Sequence, residues 1–171
     1  MHAPNSNEYN PYFETYIKLV DSSNFDNSLT QNTNAVLNYF SNIAEASANY
    51  RYASDKWSVK EVLMHIVDVE RTMFNRLFVA ARGDHQSALF KMDDALYQQN
   101  AKAESRTLKS ILDEFNLVRN NTQFFIGTLN SSHELLIANT TPVPITVRAL
   151  AYVIIGHATH HLNVLKERYS I

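Results

Sequence analysis

Four long stretches of this sequence place apolar residues three and four positions apart. They span residues 26–48, 58–82, 105–129 and 146–168. Because an α-helix turns once every 3.6 residues, this spacing gathers the apolar side chains on one helix face. Four amphipathic helices of similar length bury these faces by packing against one another. The sequence therefore predicts an all-α fold, a four-helix bundle, in a single domain over residues 1–171.

The glycine and cysteine counts narrow both the fold and the chemistry. Only three glycines occur among 171 residues, and cysteine is absent. So few glycines disfavour a turn-rich β fold and exclude glycine-rich phosphate-binding loops. The absence of cysteine excludes disulfides, thiolate metal sites, iron–sulfur clusters and a cysteine nucleophile. Gly156 lies inside the last predicted helix, where glycine costs about 1 kcal/mol relative to alanine, and a close helix approach would account for it.

The charged residues are nearly balanced, with 15 Lys and Arg against 17 Asp and Glu and a net charge of −2. A chain that binds nucleic acid or an anionic membrane usually carries a basic patch, which is not evident here. No stretch approaches the roughly 18 consecutive apolar residues of a membrane-spanning helix, and no signal peptide is visible. We therefore expect a cytoplasmic protein with neither a nucleic-acid nor a membrane partner.

Three of the segments outside the four long helices carry predictions of their own. Residues 1–10 are polar and are predicted to be a loose tail. Pro11 can open a short extra N-terminal helix over residues 11–20, because the first turn of a helix does not need its missing N–H group. Residues 83–104 form a long connection, which either crosses over between helices that run in the same direction or covers one end of the bundle as a lid.

Two of the seven histidines lie four residues apart on the last predicted helix. At 100° per residue, His157 and His161 sit one above the other in the middle of the apolar stripe of that helix. They should therefore point into the bundle rather than toward water. Two imidazoles at this spacing can bind one metal ion, as in helical zinc sites.

A metal site of this kind needs a third protein ligand from another helix. His65 is the best candidate, because it lies at the flank of the apolar stripe of the second predicted helix and bundles build metal sites from facing helices. His160, at the edge of the last stripe, is the reserve ligand in place of His161. The other histidines fall in predicted loops or tails and are expected to be solvated: His2, His85 and His133.

Two interpretations without a metal stay open. Each buried imidazole could be a core histidine that hydrogen-bonds to a carbonyl or hydroxyl group, or water could bridge the stacked pair. Burying two imidazoles without partners costs free energy twice, which is the argument for a metal.

One carboxylate also falls in an apolar stripe. Glu70 lies near the centre of the stripe of the second helix, where an unpaired carboxylate is costly. We expect a buried ion pair with Arg148 or Arg51. The alternative is that Glu70 orients a ligating imidazole or accepts a proton. Asp68 points away from the stripe and is expected to be a solvated surface residue.

Several short blocks occur in an order and spacing typical of one protein family. They are residues 10–17, 51–53, 56–63 leading to His65, 81–84, 147–154 and 160–163, with Gly156 and His157 between the last two. Together these blocks, which extend over nearly the whole chain, resemble the DinB-like superfamily and, within it, the group of metal-dependent hydrolases similar to YfiT.

The resemblance implies a four-helix bundle with a long crossover connection. It also implies three histidines around one divalent metal ion, with water at the open positions. At the matching positions of this sequence these ligands are His65, His157 and His161. A homodimer is implied as well. Residues 86–91 depart from the Gly- and Pro-containing stretch that relatives often have, so substrate contacts in the connection are not carried over.

Three protein ligands with open positions are typical of a catalytic metal site, whereas structural zinc is usually closed by four. The ion could lower the pKa of bound water for hydrolysis, or bind an incoming thiol as thiolate. Relatives resemble hydrolases or S-transferases that use low-molecular-weight thiols such as bacillithiol, mycothiol or glutathione. We expect one of these activities on a small-molecule substrate, with zinc, nickel or iron as the metal. The alternative is a non-catalytic stress-related or binding protein with a structural metal.

Overall fold

This computed structural model describes residues 1–140, 143–169 and 171 of the chain. Within them, six α-helices follow one another: α1 Glu14–Ile17, α2 Phe25–Ser41, α3 Val59–Ala81, α4 Asp94–Ala101, α5 Leu108–Gly127 and α6 Val147–Arg168. Single 3-10 turns lie at Pro11–Phe13, Glu45–Ser47 and Ala103–Ser105. Two short strands, β1 Ile137–Ala138 and β2 Ile145–Thr146, pair antiparallel. The predicted all-α class and the four-helix bundle of α2, α3, α5 and α6 are confirmed.

Side-chain caps explain where the long helices begin. Ser58 accepts a hydrogen bond from the Glu61 backbone, and the Glu61 carboxylate accepts one from the Ser58 backbone at 2.6 Å, which completes a capping box. Thr107 caps α5 and Thr146 caps α6 through their hydroxyl oxygens. These caps satisfy backbone N–H groups that have no partner inside the helix. The start of α3 and that of α6 agree with the prediction.

The connection between α3 and α5 crosses over the bundle. Near the start of α3 the Met64 sulfur contacts Arg106, two residues before α5, at 3.5 Å. In the middle of both helices Glu70 accepts from Arg119 at 2.7 Å, and near their ends the rings of Phe78 and Phe125 pack at 5.6 Å. Residues therefore advance together along α3 and α5, so these two helices run in the same direction. Of the two alternatives left open for residues 83–104, this is the crossover, which the family resemblance also implies.

The crossover carries a helix of its own, which the sequence analysis did not predict. The Asp93 carboxylate caps α4, because it accepts a hydrogen bond from the Leu96 backbone N–H group at 3.0 Å. From α4, Gln98 donates to the Glu61 carbonyl at 2.9 Å, which holds α4 against the first half of α3. The connection thus lies along the bundle beside α3.

The first long helix is shorter than predicted. The apolar spacing continues to residue 48, but α2 ends at Ser41 and the chain turns. The turn lets the Glu45 carboxylate accept a hydrogen bond from the Leu108 backbone N–H group at 2.8 Å. A carboxylate is stabilised at a helix N-terminus, so a contact with α5 overrides the local helical pattern. The predicted helix over residues 11–20 is likewise short, comprising a 3-10 turn and α1.

The prediction of a loose N-terminal tail is wrong for Glu8 and Tyr9, which are buried. Glu8 accepts hydrogen bonds from the Arg148 guanidinium and, at 2.9 Å, from the Thr146 hydroxyl. The bond to Arg148 lowers the pKa of Glu8 to about 2. The N-terminal segment is therefore tied to the start of α6 by a charged pair.

Gly156 permits the close approach of α1 to α6. A Cβ atom at this position would lie 2.0 Å from the backbone carbonyl oxygen of Tyr16. Only glycine fits such a distance without displacing the backbone. The close helix approach expected from the sequence is thus confirmed, and it brings the Tyr16 ring to the histidines of α6.

No helix among the described residues is long and apolar enough to cross a membrane.

Candidate metal centre

Three histidines from two antiparallel helices converge inside the bundle. His65 extends from α3, and His157 and His161 extend from α6. The Nε2 atom of His157 lies 3.1 Å from the Nε2 atoms of both His65 and His161. One nitrogen from each residue lies within 4.8 Å of the other two. We call these three residues the histidine cluster; it contains the three ligands predicted from the sequence.

The spacing of the histidine cluster fits a metal ion. Two nitrogen ligands each about 2.1 Å from one zinc ion lie about 3.0–3.4 Å apart, depending on the coordination geometry. The two measured Nε2–Nε2 distances of 3.1 Å fall within this interval. Imidazole nitrogens are suitable ligands for zinc, nickel and iron. The donor set and its spacing therefore both suit one divalent cation.

Burial keeps the imidazoles neutral and so leaves their lone pairs available. Desolvation lowers the pKa of His65 to about 4 and that of His161 to about 3. The pKa of His157 falls well below its ordinary value, chiefly through burial and also through the neighbouring imidazoles. A metal that binds at neutral pH would therefore not have to displace protons from charged imidazolium groups.

The outer edge of His65 has an incomplete hydrogen-bonding environment. Its Nδ1 atom is buried without a hydrogen-bond partner among the described residues. The closest carboxylate oxygen is Oδ1 of Asp94, in the first turn of α4, at 3.8 Å. The Trp57 ring packs against the His65 ring with centroids 4.7 Å apart. Metal-binding histidines commonly direct their second nitrogen toward a carboxylate, and Asp94 is placed for this role.

His160 lies beside the histidine cluster but outside it. Its ring is half-buried and packs edge-on against the rings of His161 at 5.1 Å and Tyr16 at 5.5 Å. Of the remaining histidines, His2 and His85 are exposed as predicted. His133 is half-buried and contacts Asn130 at 3.0 Å, so it is less solvated than expected.

Two clefts open on either side of the histidine cluster. The larger cleft has a volume of about 510 Å³, and His65 and His157 form part of its wall. Its other walls include Tyr16, Met73, Arg76, Phe90 and Asp94. A smaller cleft of about 240 Å³ borders His160 and His161. A small molecule can therefore reach the cluster from the larger cleft, which the crossover connection covers in part.

Glu70 forms the expected buried ion pair, but with a different partner. Arg119 of α5 donates from Nε to Oε1 at 2.8 Å and from Nη2 to Oε2 at 2.7 Å. The predicted partners are engaged elsewhere, since Arg148 pairs with Glu8 and Arg51 with Glu61. None of the hydrogen bonds described for Glu70 reaches an imidazole, because both of its oxygens accept from Arg119.

The Glu70 pair is part of a larger buried network. Arg119 also donates to Asn32 at 2.6 Å and Thr33 at 3.2 Å, and Asn32 donates to Thr159 at 2.9 Å. We call these five residues the arginine network; it joins α2, α3, α5 and α6. Arg119 was not singled out from the sequence, although it follows Phe115 by four residues and so shares the buried stripe of α5.

Asp68 is not the solvated residue that the sequence suggested. Its side chain is only 15% exposed, and the closest cationic atom, Nη1 of Arg71, lies 3.9 Å away. Burial raises the pKa of Asp68 to about 6, because Arg71 offsets it only in part. Arg71 itself makes its shorter contact with Glu114.

Comparison with known proteins agrees with the fold and with the resemblance seen in the sequence. No curated protein matches the chain. A solved structure, YfiT from Bacillus subtilis, described as a probable metal-dependent hydrolase with an unusual four-helix bundle topology, is similar with a TM-score of 0.70. It is 14% identical, and the match covers 96% of this chain and 89% of that one. The family model of the DinB superfamily matches residues 28–165. The chain belongs to the DinB superfamily.

Proposed function

We propose that this protein is a metal-dependent enzyme that acts on a small molecule, with His65, His157 and His161 holding one divalent cation. The observation that carries the proposal is the convergence of three neutral imidazoles at the wall of a solvent-open cleft. Among the described residues, no fourth His, Asp or Glu joins this group. Three protein ligands leave positions for water or substrate, as catalytic metal sites do.

A divalent cation on three imidazoles would act as a Lewis acid that lowers the pKa of a coordinated water or thiol. Hydrolysis and thiol transfer are therefore the two reactions in question. The description of the Bacillus subtilis relative as a probable metal-dependent hydrolase supports hydrolysis. Because the chain contains no cysteine, a thiol would have to enter as a cosubstrate.

The surrounding side chains orient the imidazoles and limit the access of water. The Tyr16 ring packs edge-on against His157 at 5.3 Å, and the Trp57 ring packs on His65. These aromatic contacts restrict rotation of the two imidazoles and desolvate them. Asp94 lines the same cleft as His65, and its Oδ1 atom lies 3.8 Å from His65 Nδ1. A small side-chain movement would let this carboxylate accept a hydrogen bond from His65 Nδ1–H and so hold the ring with Nε2 facing inward.

The direct test is the metal content of variants at two neighbouring histidines. We expect one equivalent of zinc, nickel or iron in the purified protein and less than about a tenth of an equivalent in His157→Ala, because three-ligand sites need every ligand. His160→Ala is the matched control, since His160 lies outside the histidine cluster and should keep the metal. Undiminished metal in His157→Ala, measured by elemental analysis, would refute the assignment.

Catalysis requires a second test on metal-loaded protein. Esters and amides would be assayed without thiol, and alkyl halides and epoxides with glutathione, bacillithiol or mycothiol. Turnover by the wild type and its loss in His157→Ala would support the enzyme, and the arm that responds would identify the nucleophile. A metal-loaded protein that is inactive in both arms, with a fourth protein ligand on the ion, would favour a structural metal. The cytoplasmic location and the homodimer stay predictions. Light scattering would test the homodimer.

A further inference from the structure

The walls of the larger cleft carry an arginine that lacks an acidic partner. The chain has eight arginines, and five of them pair with carboxylates in the described structure: Arg51, Arg71, Arg106, Arg119 and Arg148. Two of the others, Arg82 and Arg168, are exposed to solvent. Arg76 is the remaining one, and it is half-buried. A partly desolvated guanidinium without a counter-ion is costly, so it calls for an explanation.

Only part of the donor capacity of Arg76 is used. Its Nη2 atom donates to the Phe90 carbonyl at 2.8 Å, and Nη1 contacts the Met73 sulfur at 3.6 Å. Its Nε atom is buried and has no partner among the described residues. Because Nε is closed to solvent, the hydrogens that remain for a ligand are those of Nη1 and the second hydrogen of Nη2. The two Nη atoms of a guanidinium can bind two oxygens of one carboxylate or phosphate group. Arg76 thus keeps donor capacity for an oxyanion.

The position of Arg76 relative to the histidine cluster defines the length of a ligand. His65 and Arg76 are eleven residues apart on α3, which is about 16 Å along the helix axis. Long side chains on a helix lean toward its N-terminus, and the Met73 contact shows this for Arg76. The guanidinium therefore lies on the order of 10 Å from the histidines, given the length of an arginine side chain.

Apolar side chains make up much of the cleft wall. Val69 and Met73 lie between His65 and Arg76 on α3, and Phe90 and Met92 line the cleft from the crossover connection. The charged residues of the cleft are Arg76, Lys91 and Asp94, so positive charge predominates although the whole chain has a net charge of −2. Asp94 lies beside His65 at the inner end, which leaves Arg76 and Lys91 to meet an anion. A cleft of this kind favours an apolar body with an anionic end.

We propose that Arg76 is an anion-binding subsite, and that the substrate class is an elongated molecule with an apolar body and a terminal carboxylate or phosphate. This inference rests on the proposed function, because the cleft is the same. The anionic end would bind Arg76 through paired hydrogen bonds. The reacting group would then lie at the histidine cluster about 10 Å away.

The experiment compares decanoate, decyl phosphate and uncharged decanamide, which share one apolar chain. Binding to metal-free protein would be followed through the methyl resonances of labelled methionines. Met73 and Met92 line the cleft, whereas Met64 does not and serves as an internal reference. We expect at least one of the charged probes to bind the wild type about 10- to 100-fold more tightly than decanamide, as is typical of charge-assisted hydrogen bonds. The stronger of the two identifies the anionic group.

Variants separate an anion site from a structural tether. Arg76→Gln should reduce the preference to within about twofold, Arg76→Lys should keep part of it, and the exposed-arginine control Arg82→Gln should keep all of it. Equal binding of charged and uncharged probes by the wild type, or a full preference in Arg76→Gln, would overturn the proposal. So would the absence of saturable shifts at Met73 and Met92.

The His157→Ala variant distinguishes a failure of the anion subsite at Arg76 from a failure of the metal site at the histidine cluster. The probes do not need a metal, so the preference should persist in His157→Ala even if the metal assignment fails. Loss of the preference in His157→Ala alone, with the fold intact by circular dichroism, would place the anion at the histidines and would contradict the role of Arg76.

Discussion

The histidine cluster and the arginine network are two buried polar groups in one bundle, and they differ in how their hydrogen bonds are completed. Arg119 donates to Glu70, Asn32 and Thr33, so the charge and its counter-charge are neutralised inside the protein. In the histidine cluster the three Nε2 atoms face one another, and the Nδ1 atom of His65 has no partner. The first group is complete without a ligand, and the second is not.

This difference separates structural polar groups from binding sites. A buried network whose donors and acceptors match holds helices in register. The contacts among the three Nε2 atoms are hydrogen bonds only in particular tautomers, whereas one cation would accept all three lone pairs at once. Access differs in the same way, because the histidine cluster borders a cleft while Arg119 is fully buried. The predictions below test this contrast.

The largest expected effect is on folding, through the arginine network. Arg119→Met leaves Glu70 buried and unpaired, which should reduce the free energy of unfolding by about 3–5 kcal/mol. Adding Glu70→Leu should recover most of the lost stability, because it removes the unpaired buried charge. Urea denaturation measures both variants. Arg71→Met, which breaks a more exposed pair, is the control and should cost about 1 kcal/mol or less. A loss of metal from the folded Arg119→Met protein would contradict the independence of the two groups.

Metal removal should affect stability through the histidine cluster alone. At zinc concentrations 1,000-fold above the dissociation constant, binding to the folded state should raise the free energy of unfolding by about 4 kcal/mol. Chelation should reverse this in the wild type. His157→Ala should show no response, and Arg119→Met should respond as the wild type does. Thermal unfolding with and without chelator provides the measurement, and an equal response in His157→Ala would count against the site.

Asp68, two residues before Glu70 on α3, tests what happens when a half-buried carboxylate lacks a full partner. Its pKa is about 6 in the folded protein, above the ordinary value of 3.8, because of burial. The folded protein therefore holds this proton more tightly than the unfolded chain does. As the pH rises from about 4 to 6 the carboxyl loses its proton, and the free energy of unfolding falls. Asp68→Asn should stabilise the protein by about 1–2 kcal/mol at pH 7.5 and by little at pH 3.5. The exposed control Asp113→Asn should show no such difference in urea unfolding at the two pH values.

The smallest expected effect concerns Asp94 and the outer nitrogen of His65. Asp94→Asn should weaken metal binding by about tenfold, the lower end of what such orienting carboxylates contribute. The lower end applies because the carboxylate is 60% exposed and 3.8 Å from Nδ1. Competition with a chelator measures the affinity. Asp93→Asn is the neighbouring control, since asparagine can still cap α4 and the affinity should not change. Equal affinities in all three proteins would exclude an orienting role for Asp94.

Much of the fold and the core of the candidate site follow from local patterns. The apolar stripes and the Ser58 capping box predict α3, and the four-residue spacing places His157 and His161 on one face. Helix ends set by contacts with other elements were missed. The early end of α2 follows from the contact of Glu45 with α5, which no feature of residues 26–48 reveals.

Partner choice was the other weakness. The sequence indicated that Glu70 needs a cation but favoured Arg148 or Arg51, whereas α5 supplies Arg119. Arg76 and Asp94 were not singled out, because their importance depends on the path of the crossover connection.

The sequence by itself determined that there are four long helices, which faces they bury and that α6 carries a histidine pair, since these depend on the periodicity of a single helix. Only the tertiary structure decided that Arg119 meets Glu70, that Asp94 lies beside His65 and that Arg76 lines the cleft without an acidic partner. Such contacts join residues far apart in the chain. They depend on which helices are neighbours and in what register they pack, and the spacing within one helix carries no information about either.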